Sequence, residues 1–162
     1  MQGVRGGERT GMTGVVVTAS VAPLLAAPSL RSEQLTQLVL GEAAAIVETQ
    51  GDMLRVRTLL DQYEGWLASG YTTRQPLGEV EAWLDSAAWS GGALLCDAEG
   101  QALRAPHRAR LGLADDGVVH LPGGRRAAVV SGVVLPYQAL VAAARREAAA
   151  DWAWREFSGT PY

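Results

Sequence analysis

The chain of 162 residues has one cysteine, Cys96, one phenylalanine and no lysine, its 14 basic residues all being arginine. A single thiol rules out an intrachain disulfide, and with it a small secreted fold held by disulfide staples. No run approaches the roughly 20 apolar residues that a membrane-crossing helix needs, so no membrane span is expected. The net charge of -3 and the pI near 5.4 leave no excess of positive charge for a nucleic-acid partner, which requires a clustered basic face. The arginine-only basic set, with abundant alanine and glycine, points to a GC-rich genome and carries no mechanism.

Chemistry-bearing side chains are equally sparse. A cysteine nucleophile needs a histidine base within hydrogen-bond reach. Cys96 closes an apolar strand-like run at Asp97 and reads as a small buried filler, while His107 and His120 fall in loop-like and strand-edge surroundings. No His, Cys and Asp cluster has metal-ligand spacing, so neither metal nor cofactor is expected. Asp115-Asp116 precedes Gly117, where Asp and Gly are simply good turn formers. Gly91-Gly92 and Gly123-Gly124 read as hairpin turns, and no glycine loop opens a helix in the manner of a phosphate site. No catalytic residue is assigned.

What is present is a series of short apolar runs cut by turn residues. Residues 1–14, rich in glycine, read as a disordered tail. Arg5 and Arg9 ahead of Val15–Ala27 superficially suggest a secretory leader, but Thr18, Ser20 and Pro23 interrupt the run, and Val15-Val16-Val17 is needed as a strand. Val15 to Ala22 is strand-like, and Pro23 to Arg31 reads as a loop. From Thr36 to Tyr71, Gly41-Glu42 and Gly51-Asp52 separate strands at Val39-Leu40, Ala45-Ile46-Val47 and Met53 to Arg57. This describes a first barrel over 15–75.

A linker over 76–90 carries Leu77, Val80, Glu81 and Leu84 at helical spacing. A second barrel over 91–135 is expected from strands at Gly91–Cys96, Ala109–Leu113, Val118–Leu121 and Arg126–Val130 with regularly spaced turns. Over 136–162 an amphipathic helix is expected, starting at Pro136 and carrying Tyr137, Leu140, Val141, Ala144, Ala148 and Trp152 on one stripe. Trp154 and Phe157 near its end need a cover. The aromatic corner Asp61-Gln62-Tyr63-Glu64-Gly65-Trp66 suits a cationic ligand, since ring faces attract ammonium and carboxylates pair with it. Of its rings, Trp66 is assigned to the core and Tyr63 to recognition.

Gly41-Glu42, the apolar run after it, Gly51-Asp52-x-x-x-Val56-Arg57 and Tyr63-x-Gly65-Trp66 together resemble a bacterial SH3-like domain. Gly100-x-x-Leu103-Arg104 with Ala109-Arg110-Leu111 is similar to a second SH3-like repeat. Phe157 to Tyr162 looks like the approach to the catalytic domain of an NlpC-type cell-wall cysteine peptidase. The resemblance implies a mainly β chain of two small SH3-like barrels in tandem, with a short connecting helix and a C-terminal amphipathic helix. It further implies the substrate-restricting region of a γ-D-glutamyl-L-diamino-acid endopeptidase, in which Glu33 and Tyr63 hold the free amine of a terminal L-alanine.

The peptidase family's nucleophile and its two histidines have no counterpart here, so this stretch is expected to be inactive alone. Its implied partners are a murein peptide with a free L-Ala amine and the peptidase's own C-terminal catalytic domain. A role in peptide recycling implies the cytoplasm, and one in wall remodelling implies export. The rival reading is a free-standing peptidoglycan- or peptide-binding module without an enzyme. A proline-motif adaptor fits less well, because one Phe and four Tyr do not supply a row of rings for a polyproline groove.

Overall fold

A computed structural model describes residues 11–114, 117–146, 148–151 and 153. The first seven strands are β1 Thr13–Val17, β2 Val21–Leu25, β3 Gln34–Val39, β4 Ala43–Gln50, β5 Met53–Thr58, β6 Glu64–Ala68 and β7 Thr72–Pro76. They form one antiparallel sheet in the order β3-β2-β6-β5-β4-β1-β7. Its core gathers Val15, Val17, Ala22, Leu24, Leu38, Ala44, Leu54, Val56 and Leu67. Burying each Val or Leu contributes about 1.5–3 kcal/mol. The Val15-Val16-Val17 run does not alternate because both faces of β1 are covered. Val15 and Val17 enter this core, and Val16 packs with Ala43 and Val80 on the other side.

Several expectations change here. The glycine-rich tail ends sooner, since Thr13 and Gly14 already belong to β1, where a Cβ on Gly14 would stand 3.0 Å from Val80 Cγ2. The strand expected over Val15–Ala22 is two strands, parted at Thr18, whose amide bonds Tyr71 O at 2.8 Å. Pro23, expected in a loop, lies inside β2 opposite Gln37. Proline is tolerated there because β2 meets β6 only at Leu25↔Trp66, so Pro23 has no ladder partner on that side to miss its N–H. Gly51-Asp52 makes the two-residue turn between Gln50 and Met53, with Gly51 at φ 55° as such turns require.

Helix α1, Leu77–Ser86, occupies the expected linker and lays Leu77 and Val80 inward. The second sheet follows: β8 Ala88–Asp97, β9 Ala102–Ala105, β10 Arg110–Leu113, β11 Val118–His120 and β12 Arg126–Leu135. The order β10-β11-β12-β8-β9 is closed by a further β10–β8 pairing. β9 was legible only as a motif. Gly91-Gly92 is not a turn but lies within β8, against bulges in β12. There the backbones approach so closely that a Cβ on Gly132, at φ 78°, would stand 1.8 Å from Gly92 O. The turn at Gly123-Gly124 holds, both residues having φ 82°. Asp115 and Asp116 lie outside the described residues.

Helix α2, Tyr137–Ala144, starts after Pro136 as expected but stops well short of Trp154. It buries none of its residues. An eight-residue helix is marginal by itself whatever its alanine content, so α2 depends on its contacts with β8 and β12; helical geometry recurs at residues 149–151 and 153. Trp152, Trp154 and Phe157 lie outside the described side chains.

The two sheets are joined by more than the helix. The β3–β4 turn inserts into the second barrel: Leu40, 1% exposed, belongs to the second core with Leu95, Leu111 and Val119. Around it Arg110 N donates to Leu40 O at 2.8 Å, and Trp83 Nε1 donates to Gly41 O at 2.9 Å. Gly41 stands at φ 78°, with Arg110 O 1.9 Å from where a Cβ would be, so only glycine fits. Ser20 Oγ adds a bond to Arg104 O at 2.6 Å.

Candidate functional site

The β5–β6 turn builds the corner on which Tyr63 stands. Thr58 N donates to Tyr63 O at 2.9 Å, Tyr63 N donates to Thr58 Oγ1 at 2.8 Å, and Thr58 Oγ1 donates to Asp61 Oδ1. Gln62 takes φ 60° to close the loop. Tyr63 is half exposed at 50%. Glu33 is exposed at the mouth of the β2–β3 loop, its carbonyl accepting from Ala26 N at 2.9 Å.

The register relates the two. Leu25 on β2 pairs with both Gln34 on β3 and Trp66 on β6. Both neighbours run antiparallel to β2 and therefore parallel to each other. Glu33 precedes β3 and Tyr63 precedes β6, so both sit where those strands begin, at the same end of the sheet.

Glu64 does not present a free carboxylate: Arg57 Nε donates to it at 2.8 Å and Arg55 Nη2 at 3.0 Å. The Arg57 hydrogen bond, with the charges of both arginines behind it, holds the Glu64 carboxyl below its usual range. Asp61 is engaged in the turn. Trp66 is also not in the core: β6 alternates Gly65 and Leu67 inward, leaving Trp66 half-buried on the other face, across from Arg55. Gly65 is required inside, since a Cβ there would stand 2.6 Å from Leu24 Cγ.

A second feature lies between the barrels and was missed from sequence. A cleft of about 330 Å³ is lined by Thr36, Gln37, Asp61, Trp89, Arg108 and Arg110, among others. Arg110, 3% exposed, lays its guanidinium over the Trp89 ring, 3.1 Å from the centroid. Desolvation pulls its pKa down to about 10. Arg108 Nη2 bonds Glu42 Oε1 at 2.8 Å, while Glu42 Oε2 accepts from Val39 N at 3.0 Å. Glu42 and Arg108 are 66 positions apart, so no local pattern could have paired them.

Residues 24–70 match the bacterial dipeptidyl-peptidase SH3 domain. No curated protein matches the chain. Among solved structures, an NlpC/P60 family protein from Bacillus cereus aligns with TM-score 0.57 at 19% identity, over 77% of this chain and 54% of that one. At that identity the likeness is one of fold, and the chain spans about half the length of the structure it matches.

Glu33, Gly41, Glu42 and Tyr63 all fall within the matched SH3 domain. Cys96 is half-buried, its Sγ 3.7 Å from Asp97 O, and His120 is exposed. His107 lines an apolar cavity of about 500 Å³ between β8, β12 and α2, where Trp89 and Tyr137 pack with centroids 4.6 Å apart. Among the described residues no group of three His, Cys, Asp or Glu could hold a metal, and no helix is long and apolar enough to cross a membrane.

Proposed function

We propose that this chain is the substrate-restricting SH3-like region of an NlpC-type cysteine peptidase that cleaves L-Ala-γ-D-Glu from a diamino acid in murein peptides. In this reading Glu33 and Tyr63 receive the free ammonium of the peptide's L-alanine, and catalysis belongs to a separate domain of the same peptidase. The observation that carries the reading is the SH3 match over 24–70, together with the exposure of both side chains at one end of the two strands that flank β2.

The physical basis of the restriction is desolvation. Exposed, Glu33 gains only about 0.2–1 kcal/mol from an ammonium. Once a bound peptide covers it, leaving it opposite an acylated, uncharged nitrogen costs on the order of 2–5 kcal/mol. Peptides still attached to the glycan through that nitrogen are thereby rejected, and freed peptides are admitted.

The test is binding of L-Ala-γ-D-Glu-diaminopimelate to this chain, compared with the same tripeptide acetylated on its L-Ala amine alone. The free tripeptide should shift the Tyr63 ring resonances and the acetylated one should not, with Glu33→Gln removing the difference. Equal binding of the two peptides defeats the reading. Sedimentation of the chain with intact peptidoglycan, whose L-Ala amines are acylated, would favour a wall-binding module instead.

A further inference from the structure

The cleft between the barrels is accounted for by neither Glu33 nor Tyr63. We propose that it binds a small zwitterion, a free amino acid or short peptide, whose carboxylate is held by Arg108 and Arg110 and whose ammonium faces Asp61 and Asp85.

A guanidinium has five N–H donors, and burial of such a charge is costly unless it is paired. Arg110 spends Nη1 on Arg108 O and its face on Trp89. Among the described residues it has no carboxylate within ion-pair distance, and Glu42, whose charge acts on it, is bonded to Arg108 and to Val39 N. Two guanidinium groups thus share one buried carboxylate at the wall of an open cleft. A ligand carboxylate supplies the missing charge, in the bidentate geometry that arginine favours.

Arg108 carries a second mark. Its backbone is held at φ 68°, its N–H bonded to Ser90 O at 3.0 Å, a left-handed conformation that non-glycine residues seldom adopt. Such conformations persist where the surroundings enforce them, and they cluster at ligand clamps. The twist sets Arg108 so that one side chain reaches both Glu42 across the seam and the cleft.

The acidic part of the lining selects among anions. Asp61 and the exposed Asp85 also line the cleft, and Asp61 commits Oδ1 to the turn. With Glu42, three carboxylates accompany two arginines there. A multiply charged anion such as phosphate is repelled, whereas a ligand with separated plus and minus ends matches both charges. The volume of about 330 Å³ is at the small end of ligand sites and suits a dipeptide-sized molecule.

The rival explanation is that Arg108, Arg110 and Glu42 only cement the barrels. The two are separated by titrating the chain with L-alanyl-L-alanine, its C-terminal amide and inorganic phosphate, following the Trp89 indole resonance in a nitrogen-edited proton spectrum. Alanyl-alanine at millimolar concentration should move that resonance, and the amide and phosphate should not. Because Arg110→Met is liable to loosen the seam, the diagnostic variant is Arg108→Gln, which keeps hydrogen-bonding capacity toward Glu42. It should weaken binding about tenfold, the value of one lost charge-assisted contact. A Trp89 signal indifferent to alanyl-alanine, or equally responsive to its amide, overturns the proposal. Either result leaves the free-amine role of Glu33 and Tyr63 standing, since that site is read on different resonances with a different variant.

Discussion

The two barrels reach closed packing by different means. Among the described residues, seven of the first core's nine buried side chains are Val or Leu, and every one comes from its own sheet. The second core also has nine described members, but four are alanine, and one of its five larger residues, Leu40, is lent by the first barrel. The first is a self-sufficient unit, and the second is completed by its neighbour's turn. Small domains bury a marginal share of their surface, so one borrowed leucine is a large fraction of what the second barrel has.

The sharpest way to break that contrast is Leu40→Ala. Although made in the SH3 domain, it should cost about 2–5 kcal/mol and should unfold the second barrel first. In urea, hydrogen exchange at Leu95 and Leu111 should accelerate before exchange at Leu54 and Val56. Loss of protection in the first sheet ahead of the second would reverse the assignment. Gly41→Ala attacks the same seam through its backbone, forcing a Cβ against Arg110 O, and should give the same order of unfolding.

A smaller effect is expected from Trp83→Phe. It removes the indole N–H from Gly41 O while keeping most of the ring, and should cost about 1 kcal/mol by chemical denaturation. A value near zero would mean that the turn is held by Leu40 alone.

The Glu64 cluster gives the next prediction, confined to the first barrel. Its carboxyl is held below 4.5 in the folded chain, so the stabilisation it brings is complete above that value and fades as pH falls through the lowered folded value. Melting temperature should therefore drop more on acidification in the native chain than in Glu64→Gln, and salt should shrink the difference because the cluster is at the surface. Identical acid sensitivity would show the arginine contacts to be idle. Least of all, Glu33→Gln and Tyr63→Phe should shift stability by no more than about 0.5 kcal/mol, as befits exposed side chains, and a large loss for either would recast it as structural.

Strands were readable where alternation or a turn dipeptide marked them. Gly51-Asp52 lies between two apolar runs and became a two-residue hairpin, and Leu77, Val80 and Leu84 gave α1 its bounds. Trp66 was misassigned because a large ring suggests a core, whereas the pleat obliges neighbours of Leu67 to face away from it. Gly91-Gly92 was misread because a glycine pair marks a turn and a bulge equally well, and only the partner strand decides between them. Glu33 and Tyr63 were singled out by motif, and their common position follows from the strand order, which no local pattern encodes.

Local chemistry in the sequence thus determined the β character of the chain, the connecting helix, most turns and the SH3 signature of the first barrel, because these depend on neighbours a few positions apart. The seam, the borrowed Leu40 and the arginine-lined cleft were decided only by the tertiary structure. Glu42 meets Arg108 and Leu40 meets Arg110 across separations that only chain folding can close, and the energy of each contact exists only once water has been excluded between them.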